Sequence, residues 1–356
     1  MKVLFTCADK PTISRNRFHR KVLSDTFSYS ECISKGKGYA SRIPSILLRL
    51  PFAMIGKDAY FVGYMGHFLV IIMRLFTKKP IVFDFYLSIF DVMCNDRKLY
   101  KPNSLLGKLT YWMEKKSLEK ADYIIVDTQK LIDTLCAEYS IDKDKFVSVP
   151  LTINEENVFP KEVKRYKEVF TVLYVGSYIP LHGTSVIMEA SKILQDLGED
   201  IAILMIGKGP DYQNCQDLVT QYQLKNIKFK GYMSLAELNY YYNATDINLG
   251  LFNSGERANA VVLNKTNDSF RVGKAHLTLA TDAMQESFSD NEDIFYVQDI
   301  DPQTLANRII EIKNNPSLLV SVGKNALKSY DKKLSNAKAT QILEDAIFST
   351  LQSQIK

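Results

Sequence analysis

A chain of 356 residues, 46% apolar and 24% charged, is longer than one core usually takes and has the composition of a soluble globular protein, so two domains are expected. Its five cysteines, Cys7, Cys32, Cys94, Cys136 and Cys215, include no CxxC pair, which argues against a disulfide framework or a thiolate zinc site and for a reducing compartment. The net charge of +5 is uneven: residues 1–170 hold 28 Lys+Arg against 19 Asp+Glu, residues 171–356 hold 17 against 21, and residues 1–50 alone hold 10 against 3.

The start, MKVLFTCADK, lacks the apolar core of a signal peptide, and a cytoplasmic protein is expected. The basic excess that follows suits the phosphates of lipids, nucleic acids or acidic glycans, and serves equally as a solvated face. Contact with the inner face of the cell membrane is therefore an added expectation; no nucleic-acid-binding motif accompanies the charge. Two apolar stretches, 43–55 cut by Pro44 and Pro51 and 68–76 interrupted by Arg74, fall short of the roughly 20 residues that span a bilayer. Short β-branched and aromatic runs at 3–7, 59–64, 81–85, 123–127 and 146–150 read as strands of a first domain. Asp84 and Asp91, at and just after the third of these, are candidates for orienting an acceptor, with capping and loop hydrogen bonds as the alternative role. The polar, proline-bearing segment 152–166 reads as a linker.

The second half repeats the pattern, with strands expected at 170–176, 201–207, 227–231, 247–252, 276–280 and 294–297 and helices at 185–197 and 235–243. Near-continuous apolar strands separated by helices indicate parallel sheets buried on both faces, hence doubly wound α/β domains. The expected architecture is two Rossmann-like domains facing across a cleft, with ligands at the carboxyl ends of the strands. Residues 1–160 would form the first, 161–330 the second, and 331–356 a closing amphipathic helix.

Four features of the second half could meet a ligand. Gly176 and Ser177 follow a strand and lead through His182 and Gly183 into a helix, where free N–H groups attract phosphate. Gly207 and Lys208 open a GKGP turn, and Tyr232 and Met233 follow Gly231. Each is also an ordinary strand-to-helix connector. The fourth is the run from Arg257 to Lys274. A helix starting near Asn264 would present Lys265 to a diphosphate and Asp268 to the hydroxyls of a ribose. Lys265 and Asp268, three residues apart, would read equally as a surface ion pair.

Taken together, LYVGSYIPLHG, LMIGKGPDY, IKFKGYMSLAEL and VVLNKTNDSFRVGKAHLTLAT resemble the donor half of glycosyltransferase family 4, and the similarity extends over nearly the whole chain. KKPIVFDFYLSIFDVMCNDR and KADYIIVDTQKL are similar to segments of bacterial polysaccharide-assembly members. The resemblance implies a GT-B fold and a retaining, metal-independent transfer from a nucleotide sugar to a glycan or lipid-linked acceptor, with no cofactor. The attacking hydroxyl would give its proton to the donor phosphate. It further implies that Gly176 and Ser177 line the diphosphate, that Met233 lies near the base, that Asp268 stands for the family's ribose-binding glutamate, and that the closing helix crosses back to the first domain. Two departures stand out. The family's other glutamate falls on Ala260, leaving Glu256 as its substitute, and His182 occupies the loop where the family carries phosphate-binding cations, leaving Arg257 and Lys265 that work. A nucleotide-sugar binder without turnover and a sugar-nucleotide epimerase are the competing expectations.

Overall fold

The computed structural model describes residues 1–34, 36, 38–96 and 98–353. They form two compact units, one of residues 1–152 together with the chain from Asn336 onward, the other of residues 153–335. Lys35 and Lys37, part of the basic N-terminal excess, Arg97 of the quoted first-half segment, and the last three residues of the expected closing helix lie outside the described residues.

In the first unit strands and helices alternate: β1 (Lys2–Thr6), α1 (Ser14–Thr26), β2 (Ser28–Cys32), α2 (Tyr39–Met54), β3 (Ala59–Val62), α3 (His67–Phe76), β4 (Ile81–Asp84), α4 (Leu105–Lys120), β5 (Tyr123–Val126), α5 (Gln129–Tyr139) and β6 (Phe146–Ser148). All pairs are parallel and the sheet order is β2-β1-β3-β4-β5-β6. β3 and β4 are buried at every position, as an apolar run in a sheet covered on both sides must be. β2 had no such signal. Its sequence is SYSEC and it lies at the sheet edge, half-exposed, with Arg20 bonded through two nitrogens to Glu31 at 2.9 Å each. The 43–55 stretch is a helix despite Pro44 and Pro51 inside it. An interior proline costs about 3 kcal/mol, and burial of Ile46, Leu50 and Met54 along one stripe offsets it.

The second unit continues with β7 (Phe170–Val175), α6 (Thr184–Asp196), β8 (Ile201–Ile206), α7 (Tyr212–Gln221), β9 (Ile227–Lys230), α8 (Leu235–Ala244), β10 (Ile247–Leu249), α9 (Glu256–Ala260), α10 (Asn264–Arg271), β11 (Ala275–Leu279), α11 (Asp282–Gln285), β12 (Phe295–Val297), α12 (Pro302–Lys313) and α13 (Pro316–Ser329). Its sheet, again all parallel, runs β12-β11-β10-β7-β8-β9. Because the chain winds outward from β7 and then restarts at β10 on its other side, the order reverses between those two strands. Connections diverge there and leave a crevice at the carboxyl ends.

The segment read as a linker is not free. Ile153 and Val158 are buried in the second unit, the Phe159 N–H donates to Asn239, and the Lys161 N–H donates to Asn243 at 2.9 Å. Those two asparagines, buried on α8, turn a polar stretch into a bonded strap. The closing segment is α14 (Asn336–Leu343) and α15 (Ser349–Ser353), joined by a wide π-turn. Ala339, Leu343, Ile347 and Phe348 pack with Val3, Phe5 and Val22 in the core of the first unit.

Candidate donor site at the β7/β10 switch point

The crevice of the second unit begins with two glycine turns that interlock. Gly176, just past β7, donates its N–H to the Ile206 carbonyl at 3.0 Å. Gly207 adopts φ +118°, and a Cβ there would run into the Gly176 carbonyl oxygen, as one on Gly209 would run into that of Ser177. Only glycine holds two backbones this close in that conformation. Lys208, between the two, is exposed; its ammonium stands 5.7 Å from the Tyr212 ring centroid, and its carbonyl accepts from the Tyr232 hydroxyl at 3.1 Å. Tyr232 is exposed and Met233 packs at the edge of the core.

On the β10 side stands α10, starting at Asn264, where the sequence put it. No side chain caps it, so the positive end of its dipole is not neutralised by a cap. Asn264 is exposed, and Lys265 points inward and is buried. The Lys265 ammonium lies 4.1 Å from the Tyr174 ring centroid of β7 and 3.4 Å from the Gly250 carbonyl just past β10. That is the switch point itself. Among the described residues no carboxylate pairs with Lys265, and burial pushes its pKa down to about 7. Asp268, one turn on and half-buried, accepts from the Tyr242 hydroxyl at 3.2 Å; burial pushes it up to about 7 against that bond. Lys265 and Asp268 thus face different partners, and the surface ion pair is not formed.

His182 is buried beside Tyr174. The Tyr174 hydroxyl lies 2.7 Å from His182 Nδ1. Burial, then the positive charges of Lys265 and Arg257, push the His182 pKa to about 2. The histidine is therefore neutral. Gly183, at φ +62°, turns the chain into α6 against the Phe252 carbonyl. A cavity of about 500 Å³ opens at this turn, lined by Gly183, Thr184, Asn253 and neighbours but not by Lys265 or Asp268.

Several supporting residues were not legible in the sequence. His276 on β11 lies 3.1 Å from both the Thr266 and Ser269 hydroxyls, and Ser269 donates to the Lys265 carbonyl at 2.8 Å. This buried network fixes the first turn of α10 and with it the direction of Lys265. A Cβ on Gly250 would crowd the Thr278 side chain and, at 2.7 Å, His276 Nε2. Tyr174 and Tyr242 read as core aromatics; only the fold aims their hydroxyls at polar partners.

Ala260 is buried at the end of α9, and Glu256 is exposed at its start. In the first unit Asp84 is enclosed. It accepts from Arg15 Nε at 2.7 Å and lies 3.3 Å from His19 Nε2. Burial would raise its pKa, but Arg15 and then His19 outweigh that and hold it below the usual range. Asp91 accepts from the Asn95 amide at 3.0 Å within a wide helical turn.

Residues 155–329, within the second unit, are similar to the family model described as glycosyl transferases group 1. An uncharacterized glycosyltransferase of Methanocaldococcus jannaschii is 23% identical over 241 residues, which is 65% of this chain; the chain spans only 60% of that relative's length. Among solved structures, sucrose-phosphate synthase from Thermosynechococcus elongatus superposes with a TM-score of 0.79 over 99% of both chains at 13% identity. HepE of Anabaena, solved with UDP and glucose, gives 0.73 over 98% of this chain and 100% of its own at 11% identity. Identities this low speak for the fold, two doubly wound α/β units of the GT-B class.

Proposed function

We propose that this chain is a retaining glycosyltransferase whose second unit holds a nucleotide-sugar donor for transfer to a glycan or lipid-linked acceptor in cell-surface polysaccharide synthesis. The observation that carries the reading is Lys265, buried at the β7/β10 switch point without a carboxylate partner among the described residues. A lysine so placed costs stability unless an anion arrives, and a nucleoside diphosphate supplies one. Arg257 and the uncapped start of α10 add to the same field. These protein cations take the role a metal ion would play in neutralising the departing diphosphate, and no other cofactor is invoked. Asp268, steadied by Tyr242, accepts the ribose hydroxyls; Gly176, Ser177, Gly207 and Gly183 let backbone approach the phosphates; Tyr232 and Met233 border the base. The sugar C1–O bond to the diphosphate breaks, the acceptor oxygen bonds C1 from the same face, and the acceptor proton passes to the departing phosphate oxygen. Asp84 and Asp91 remain candidates for orienting that acceptor, Asp84 only if Arg15 moves. The expected location is cytoplasmic, at the membrane's inner face.

A second reading, a nucleotide-sugar binder without turnover, draws on Ala260, whose buried methyl stands where the family has a carboxylate. A panel of nucleotide sugars separates the two. Thermal shift identifies the donor, since ligand at 100 times its Kd stabilises by about 2.7 kcal/mol, and product analysis with that donor then distinguishes transfer from binding alone. Asp268→Asn should weaken nucleotide affinity about 10- to 100-fold, the value of a hydrogen bond to a charged group, while Asp268→Glu stays near wild type. Unchanged affinity of Asp268→Asn in calorimetry would assign the residue to packing.

A further inference from the structure

Helices α2, α3 and α4 lie side by side on one face of the first sheet, since the crossovers β2→β3→β4→β5 all step the same way and neighbouring helices touch. Each buries one stripe, and α2 and α4 also carry a second apolar stripe that stays exposed among the described residues. On α2 the buried Ile46, Leu50 and Met54 are matched by exposed Leu48, Phe52 and, just past its end, Ile55; Phe52 is 75% exposed. α3 ends on exposed Leu75 and Phe76. On α4, Leu105, Leu109 and Trp112 recur at helical spacing on the outer side, with Leu105 83% exposed. The 43–55 and 68–76 stretches are thus half core and half surface, and α4, whose sequence gave no such signal, joins them.

The charge on these helices is mostly of one sign: α2 and α3 hold Arg42, Arg49 and Arg74 and no Asp or Glu, and on α4 Lys108, Lys115, Lys116 and Lys120 stand against the buried Glu114 and a Glu119 paired with Lys116. Arg42 and Arg74 are paired with Asp9 and Asp122, but Lys57, Lys78, Lys101 and Lys108 make no ion pair among the described residues. A second copy of the chain would bring these lysines against themselves. An anionic lipid leaflet meets both demands: acyl chains for the leucines and phenylalanines, headgroup phosphates for the lysines, and an interfacial level for the indole of Trp112.

We infer that the outer face of α2, α3 and α4 docks the first unit on an anionic membrane surface, with Leu48, Phe52, Leu105, Leu109 and Trp112 entering the headgroup–acyl boundary. Helices in such a unit start at the carboxyl ends of the strands, so the apolar half of α4 lies at the end of the sheet where its ligands would bind. This deepens the lipid-linked acceptor reading and rests on it only for the acceptor.

Trp112 is the single tryptophan of the chain and serves as the reporter. The full chain is mixed with vesicles of phosphatidylcholine alone, or with a third phosphatidylglycerol, at low salt. With the anionic vesicles alone, Trp112 emission should move to shorter wavelength and be quenched by brominated acyl chains, and high salt should reverse both because it screens charges beyond a few ångströms. Leu48→Glu with Phe52→Glu, or Leu105→Glu with Leu109→Glu, should lower vesicle partition about tenfold or more at an unchanged unfolding midpoint. Each of Lys57, Lys101 and Lys108 changed to Gln should lower it about fivefold. No shift on anionic vesicles, equal binding to neutral ones, or a dimer whose Trp112 is already shielded without lipid would overturn the inference. Nucleotide affinity measured on the same sample tests the donor reading separately: intact affinity without vesicle binding sinks only the membrane face.

Discussion

Replacing Lys265 by alanine should slow sugar transfer about 10²-fold or more while the fold survives. The side chain is buried beside Tyr174 and the Gly250 carbonyl with no carboxylate among the described residues to neutralise it, so removing it relieves a desolvated group. What is lost is the cation facing the departing diphosphate, and one such electrostatic contact is worth about 2.7–4 kcal/mol in a transition state. The depressed pKa supplies an independent readout. With the pKa near 7 in the free protein, Lys265 is mostly neutral at pH 8, and a bound diphosphate restores the charge by favouring the protonated form. Diphosphate binding at pH 8 should therefore take up close to one proton, measurable by calorimetry in buffers of different ionisation enthalpy, and Lys265→Ala should abolish the uptake. Normal turnover in the variant, or proton uptake that persists, would remove Lys265 from the donor site.

Gly207→Ala should be among the most damaging single-methyl changes in the chain. At φ +118° any side chain is strained, and here the new Cβ also meets the Gly176 carbonyl oxygen, a backbone atom that cannot swing aside. Strain of this kind costs about 1–3 kcal/mol and the clash adds to it, so a loss of about 3 kcal/mol or more is expected. In a unit of this size that lowers the unfolding midpoint by roughly 6–12 °C, at 2–4 °C per kcal/mol. Gly198→Ala is the comparison. It has φ +69° but open space around its would-be Cβ, so it bears the strain without the collision. Equal midpoints for the two variants would mean that the β7 and β8 turns are not interlocked.

The sheets were legible because a parallel strand buried on both faces must be a near-continuous apolar run. β4 and β8 are such runs. β2 was not legible, because an edge strand has no such requirement and SYSEC carries its polarity outward. That the segment joining the units is bonded in place was not legible for a related reason: the Phe159 and Lys161 N–H groups donate to Asn239 and Asn243, 80 and 82 residues away in sequence, and no local pattern announces a distant partner.

At the candidate site the sequence by itself determined the kinds of residue and their order: glycines after strands, then Lys265 and Asp268 one turn apart on a short helix. Spacing along a helix is a local property, so it survives without the fold. Whether those two side chains pair at the surface or stand apart inside the protein is not local. The tertiary structure decided it by setting α10 against β7 and β10, through His276 holding the Thr266 and Ser269 hydroxyls. Lys265 then reaches Tyr174 and Gly250, and Asp268 reaches Tyr242. Burial changed the ionisation of both, which no spacing encodes. The division was the same for the apolar stretches of the first unit. Their composition was written in the chain, but only the packing of α2, α3 and α4 settled which leucines are core and which face outward, because a helix offers two stripes and a sheet covers one.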